Sequence, residues 1–356
     1  MPVSVIVGGQ FGSEGKGKTT LYFAKEQKAK AVVRVGGPNS GHTVLDDNGN
    51  IFIFKNLPVA SILKDVYCVL TPGNYINLDI LLNEISISGI EKDKLIIDPF
   101  AMMITSDDIE SENKGILKNS IGSTASGTGM AVSRRVQRLR ENIFAQDIPE
   151  LKKYIQDTGT FLRNLLDKNS RIIIEGTQGF GLSMLHSRDY PFTTSRDTTA
   201  AGFVSEAGLS PMDVDDIILA LRSYPIRVGG ESGPIPKEIN WDIVTKESGA
   251  EDKIIEYTSV TKKIRRIAEF DKQVVKEAIN ANNPTKVVLN HLDYVDNLVS
   301  KKGLISDKMF GFISEVEKSI SRKIDYIGID RKSLINISLE FNKKNNRSDK
   351  KILLHN

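Results

Sequence analysis

Cysteine is almost absent from this chain: Cys68 is the only one among 356 residues. That excludes a disulfide framework within the chain and points to a reducing compartment. Cys68 itself reads as core, because it lies in an apolar run. No apolar stretch is long enough to span a bilayer, and the first residues lack the architecture of a secretory signal. A soluble, cytoplasmic protein with no membrane partner is therefore expected. Net charge is scarce as well. With 48 basic and 45 acidic residues the formal charge is only +3, which gives no electrostatic argument for binding nucleic acid. The basic, polar stretch 342–351 reads as a solvated terminus. Proline, glycine and serine do not concentrate into a linker, and there is no internal repeat or low-complexity tract. One α/β catalytic domain over 1–356 is expected, with a loop excursion around 101–147, a segment rich in Ser, Gly and Arg.

What is present alternates. Short apolar, β-rich runs at Val3–Val7, Ala31–Val35, Val66–Leu70, Arg171–Ile174, Ile217–Leu221 and Lys286–Leu289 predict strands. Helical patterns occupy Asn77–Ser88, Ile148–Leu166 and Lys272–Asn280. This alternation predicts a P-loop-like, mostly parallel central sheet flanked by helices. Most of the polar motifs follow a strand, where ligands of open α/β sheets bind.

The first such motif is Gly12-Ser13-Glu14-Gly15-Lys16-Gly17-Lys18-Thr19, which fits G-x-x-x-x-G-K-[ST] between a strand and a helix. Glycines let backbone N–H groups turn toward a polyphosphate, the helix start adds positive potential, and lysine adds a point charge. A second motif, Gly36-Gly37-Pro38-Asn39-Ser40-Gly41-His42-Thr43, follows the next strand.

Together with residues further along, these motifs carry a family resemblance. Gly8–Lys18 resembles the G-x-Q-W-G-D-E-G-K-G-K opening of adenylosuccinate synthetases, and Gly36–Thr43 resembles their G-G-x-N-A-G-H-T segment. Ile121–Thr124, Glu175–Gly179, Tyr190–Ser195, Arg265-Arg266 with Phe270-Asp271, Asn290–Asp293 and Gly328–Arg331 follow in the family's order. The resemblance thus spans nearly the whole chain and implies the adenylosuccinate-synthetase fold. It implies that Gly12–Lys18, Gly41, His42, Thr43, Asn290, Leu292, Asp293 and Gly328 hold the nucleotide donor. His42 and Lys18 would be catalytic, and the oxygens of Ser13 and Gly41 would ligate Mg²⁺. Asn39, Ser123, Thr124, Gln178 and Thr193 would hold the purine monophosphate. Arg138 would reach the nucleotide of the neighbouring subunit in a homodimer, although Arg134, Arg135 and Arg140 compete for that place. Thr258, Val260, Thr261, Lys263 and Arg265 would bind L-aspartate, although a basic solvated loop would read the same way.

The chain departs from the family at Ser13, where adenylosuccinate synthetases have the aspartate that takes the purine proton. A hydroxyl is too weak a base to replace it near neutral pH. Serine here is similar to the viral branch, the 2-aminoadenylosuccinate synthetases, which condense dGMP with aspartate. Serine would make room for the guanine C2 amine and catalyse together with His42 and Lys18. Asp293 could accept from a guanine base. His291 and Ile329 replace the family's lysine and proline, and the viral branch uses ATP or dATP as donor, so an adenine donor is expected. The competing readings are an ordinary synthetase acting on IMP, a P-loop switch NTPase with Asp46–Gly49 as its D-x-x-G, and a non-catalytic nucleotide sensor. Against the switch, Asp47-Asn48-Gly49-Asn50 reads as a hairpin turn.

Overall fold

The computed structural model describes residues 2–115, 121–258, 263–298, 304–337 and 352–353. The apolar runs become strands, most of them longer than their sequence signals. They are β1 (Val3–Gly8), β2 (Ala31–Gly36), β3 (His42–Leu45), β4 (Ile51–Phe54), β5 (Tyr67–Ile76), β6 (Leu95–Ile97) and β7 (Met102–Met103). There follow β8 (Ile172–Glu175), β9 (Val214–Arg222), β10 (Ile226–Arg227), β11 (Glu238–Ile239), β12 (Arg266–Ala268) and β13 (Lys286–Asn290). The last are β14 (Leu304–Ile305), β15 (Tyr326–Gly328), β16 (Leu334–Asn336) and β17 (Ile352–Leu353). A ten-stranded sheet runs β16-β15-β13-β9-β1-β8-β2-β5-β6, with β7 attached to β5. Its pairings are parallel except β15 with β16. The expected mostly parallel sheet is what the chain forms.

Strand periodicity divides the core into two layers. Val3, Val5 and Val7 of β1 join one apolar cluster together with Val33, Ile172, Ile174, Leu219 and Leu289. Ile6 faces the other way, with Val32, Cys68, Leu70, Ile173, Ile218 and Val288. Continuous apolar runs are what a sheet covered on both faces requires. Helices α1 (Lys16–Glu26) and α2 (Leu78–Ser88) lie on the second layer, and their sequence signals hold. The run Ile148–Leu166 does not form one helix. It splits into a 3-10 segment, Pro149–Tyr154, and a helix, Thr158–Asp167, whose N-cap Asp157 accepts from Thr160 N–H. Between them Ile155 bridges to Ile97 at the sheet edge, so tertiary pairing overrides the helical pattern.

The stretch 101–147 carries its own structure: β7, α3 (Ser106–Lys114) and α4 (Thr128–Gln137). Glu112 of α3 accepts from Gly127, Gly129 and Met130 N–H groups at the start of α4. Arg134 of α4 returns to Asp108 at 2.7 Å. Residues 46–50 form the turn between antiparallel β3 and β4, with Gly49 at φ +86°. Asp46 accepts from Asn50 N–H at 2.8 Å. The D-x-x-G candidate is therefore a hairpin turn.

Candidate active site at the carboxyl ends of the strands

β1 ends at Gly8, and the loop 9–15 turns through Gly12 at φ +97°, Ser13 at φ +57° and Gly15 at φ +80° before α1 begins. No side chain caps α1, so its first-turn N–H groups remain available to an anion. The rest of the loop is filled from within. Glu14 is buried, and its Oε1 accepts from Gly12 N–H at 2.7 Å and Gln10 N–H at 3.1 Å. Its Oε2 pairs with Lys16 Nζ at 2.5 Å. Glu14 and Lys16, both expected at the donor nucleotide, thus hold the shape of the loop. Lys18 instead donates to the Asp330 carbonyl at 2.7 Å. Burial lowers its pKa to about 8, against the pull of Asp293 and Asp330.

Gly17 sits in close packing: a Cβ there would lie 3.0 Å from His42 Cβ and 3.1 Å from the Thr43 carbonyl, so a side chain would push on β3. Gly328 likewise leaves room for Asn290 and for Lys18 Nζ. Asn290 donates to the Glu14 carbonyl at 2.8 Å, so its amide secures the loop. Leu292 is core. Asp293 is the member of that motif with a carboxylate to offer a base. Burial raises its pKa to about 6, partly offset by Lys18. The His291 ring lies 5.2 Å from that of Tyr294, and burial next to Arg222 keeps it neutral.

His42 opens β3, and its Nδ1 lies 2.5 Å from Glu175 Oε1. The same oxygen accepts from Arg34 Nη1 at 2.7 Å, and Oε2 accepts from Val59 N–H at 2.9 Å. Burial, then the Arg34 charge, lowers the His42 pKa to about 4, with Glu175 opposing. His42 Nε2 is buried without a hydrogen-bond partner. With Nδ1 turned to Glu175, Nε2 can donate to a phosphoryl oxygen once the ring carries its second proton, a state that the negative charge of a bound polyphosphate would favour. Gly41, just before it, is exposed.

Of the residues expected at the purine, the structure gathers Asn39 and Gln178, together with Thr194. Gln178 Nε2 donates to Thr194 Oγ1 at 3.0 Å, and Asn39 Nδ2 approaches the same oxygen at 3.4 Å. The hydroxyl in this group is Thr194, one residue beyond the expected Thr193. The loop with Ser123 and Thr124 reaches this side through Thr128, which packs on Gly37. Arg138 is exposed at the end of α4. Its competitors Arg134 and Arg135 are engaged, by Asp108 and by the Pro72 carbonyl.

Thr258 and Lys263 close the base of the loop expected to bind aspartate: Thr258 N–H donates to the Lys263 carbonyl at 2.9 Å, and Lys263 N–H to Thr258 Oγ1 at 3.0 Å. Val260 and Thr261 lie outside the described residues. Arg265 Nη1 donates to Ser13 Oγ, and the buried Arg222 donates to the Ser13 carbonyl at 3.2 Å. Both Ser13 oxygens thus accept guanidinium hydrogens, which does not suit a cation. Among the described residues no three His, Cys, Asp or Glu gather as a metal site. A magnesium ion at this loop would be held mainly by phosphates and water, a coordination that suits it.

Glu175, Arg222, Glu256 and Thr194 received no role from the sequence. A charge at the end of a buried strand was the available signal for Glu175 and Arg222.

Fold and site together define a nucleotide-binding α/β enzyme. A sequence profile described as adenylosuccinate synthetase matches residues 5–148 and 140–302. The adenylosuccinate synthetase of Archaeoglobus fulgidus is 33% identical over 348 residues, 96% of this chain and 99% of that one. That of Methanocaldococcus jannaschii is 34% identical over 322 residues, 88% and 90% of the two chains. The structure is similar to cyanophage S-2L succinoaminodeoxyadenylate synthetase (PurZ) bound to dGMP and dATP as an energy donor. The TM-score is 0.79 at 27% identity, covering 94% of this chain and 95% of that one. The fold also matches fully ligated adenylosuccinate synthetase from Plasmodium falciparum, with TM-score 0.80 at 21% identity over 94% and 100% of the chains. The chain belongs to the adenylosuccinate synthetase family, carbon–nitrogen ligases of purine biosynthesis.

Proposed function

We propose that the protein condenses dGMP with L-aspartate, driven by ATP or dATP, to give N6-succino-2-amino-2′-deoxyadenylate, ADP or dADP, and phosphate. The observation that carries this reading is Ser13, seated where the two guanidinium groups meet the phosphate loop. The likeness to the cyanophage enzyme bound to dGMP and dATP supports it. Guanine carries an amine at C2. Ser13 Oγ, with one lone pair taken by Arg265, keeps a second lone pair and its own O–H for the base.

In the first step the guanine O6 attacks the γ-phosphorus, the N1 proton passes, directly or through the Ser13 hydroxyl, to a water or a phosphate oxygen, and the nucleoside diphosphate departs. Lys18 and the first-turn N–H groups of α1 hold the phosphates, and His42 Nε2 meets the transferring group. Such transfer relies on positioning and charge neutralisation. Mg²⁺ bound to the phosphates beside Gly41 would supply further neutralisation. In the second step the aspartate amine attacks C6 and phosphate leaves, with Arg265 holding a carboxylate of the amino acid. Asn39, Gln178 and Thr194 hold the purine nucleotide. The exposed Lys263 makes no bidentate fork, which suits a nucleotide lacking the 2′-hydroxyl. Arg138, exposed and without a partner among the described residues, suits a contact to the nucleotide of a second subunit in a homodimer.

Product analysis tests the reading. With aspartate, Mg²⁺ and ATP, dGMP should be consumed with phosphate release, and IMP should turn over poorly. Efficient adenylosuccinate formation from IMP without reaction on dGMP would establish the second reading, an ordinary synthetase. The archaeal relatives bear the name of that activity.

The donor is a separate expectation. Asn290 is tied to the loop and His291 is packed against Tyr294, so neither is free to grip a guanine. ATP or dATP should support turnover at least as well as GTP. A strong GTP preference at saturating dGMP and aspartate would show that Asp293 dominates the base pocket.

A further inference from the structure

Glu256 stands between the two guanidinium groups that converge on Ser13. Its Oε1 accepts from Arg222 Nη2 at 2.6 Å and from the Tyr294 hydroxyl at 2.9 Å. Its Oε2 lies 3.8 Å from Arg265 Nε, and its backbone carbonyl accepts Arg265 N–H at 3.0 Å. Arg222 also lies 5.7 Å from the Tyr294 ring centroid, as a cation over an aromatic face. Burial alone would raise the Glu256 pKa. Arg222, with Arg265 behind it, instead lowers it to about 2, so the carboxylate stays charged. His291 is kept neutral by burial and Arg222. The group at Ser13 therefore holds two cations and one anion. It is one negative charge short, at the place where an amino acid's carboxylate would arrive.

We infer that Glu256 is the positioning residue of the amino-acid subsite: it holds Arg222 by a short ion pair and meets Arg265 only at its edge, leaving the Arg265 fork open to a carboxylate. This rests on the reading of the loop as an aspartate site. Arg222, with zero side-chain exposure, is tied by Glu256 and the Ser13 carbonyl. Among the described residues, the close hydrogen-bond partners of the Arg265 guanidinium are neutral oxygens, Ser13 Oγ and the Tyr257 carbonyl. A charged ligand replaces such bonds with stronger ones. Without Glu256 the two guanidinium groups repel across Ser13, and Arg265 loses its aim.

The test is steady-state kinetics of Glu256→Gln and Tyr294→Phe on the full chain, with aspartate and dGMP varied separately and unfolding followed by Tm. Glu256→Gln should raise the aspartate KM tenfold or more while the dGMP KM moves less than threefold. Glu256→Asp, one methylene short but still charged, should recover part of that loss. Tyr294→Phe removes one bond to Glu256 and should raise the aspartate KM two- to fivefold. It carries the test if Glu256→Gln does not fold. An aspartate KM within twofold of wild type in both variants overturns the inference, as does a parallel rise of both KM values with falling Tm. If the wild-type protein shows no aspartate-dependent phosphate release with dGMP or IMP, the functional reading fails instead.

Discussion

Glu175→Gln is expected to lower kcat by on the order of a hundredfold with little change in the KM of either nucleotide. Glu175 uses both oxygens as acceptors: His42 Nδ1 and Arg34 on one, Val59 N–H on the other. An amide has one acceptor and one donor. It must set its NH₂ either against Val59 N–H or against the His42–Arg34 pair, and each choice opposes a donor to a donor. The second choice also removes the hydrogen bond that fixes which ring nitrogen of His42 carries its proton. Nε2 then no longer presents itself in one defined state to the transferring phosphoryl group. Arg34, fully buried, loses its counter-charge, and breaking a buried pair costs about 3–5 kcal/mol. A fall in Tm is therefore expected as well, and the rate is compared at a temperature where the variant is folded. Single-turnover phosphate release measures the effect. A folded variant within threefold of the wild-type rate would show that His42 is positioned without Glu175.

The sheet was legible because its strands are buried on both faces, which leaves runs such as Val3–Val7 and Lys286–Leu289 with little ambiguity. The helix expected over Ile148–Leu166 failed because Ile155 pairs with Ile97 at the sheet edge. A pairing across 58 residues leaves no mark in local periodicity. The stretch 101–147 read as loop because its helices are short and polar. Yet Thr105 and Asp108 form a capping box that starts α3, a signal present in the sequence and passed over. Site residues divide in the same way. The G-x-x-x-x-G-K-[ST] spacing places residues 12–19 at a glycine-rich turn from a strand into a helix, and that is where they lie. What each side chain touches could not be read from spacing, since Lys16 and Lys18 look equivalent in the motif. Only the fold shows that Glu14 claims the first. The bonds from Arg222 and Arg265 to Ser13 span 209 and 252 residues, so no local pattern announces them.

Ser13→Asp is expected to cut dGMP turnover by tenfold or more, about 1.4 kcal/mol in the transition state. Two effects act together. The added carboxylate places an anion and extra bulk where the guanine C2 amine would meet the Ser13 hydroxyl. It also stands within reach of Arg265, which already donates to Ser13 Oγ. A carboxylate there would form a charge-assisted pair, stronger than the bond to a hydroxyl. The cluster of Arg222, Arg265 and Glu256 would then be neutral before substrate arrives, so the aspartate KM should rise with the fall in dGMP turnover. The same carboxylate restores the base expected for hypoxanthine, so the ratio of IMP to dGMP turnover should increase whatever the absolute rates. Ser13→Ala separates the two effects. It removes the hydroxyl without adding charge, so dGMP turnover should fall while the aspartate KM stays within about threefold. If Ser13→Asp retains full activity on dGMP, position 13 does not select the purine. Selection would then rest with Asn39, Gln178 and Thr194, whose shared hydrogen bonds form the other wall of the site.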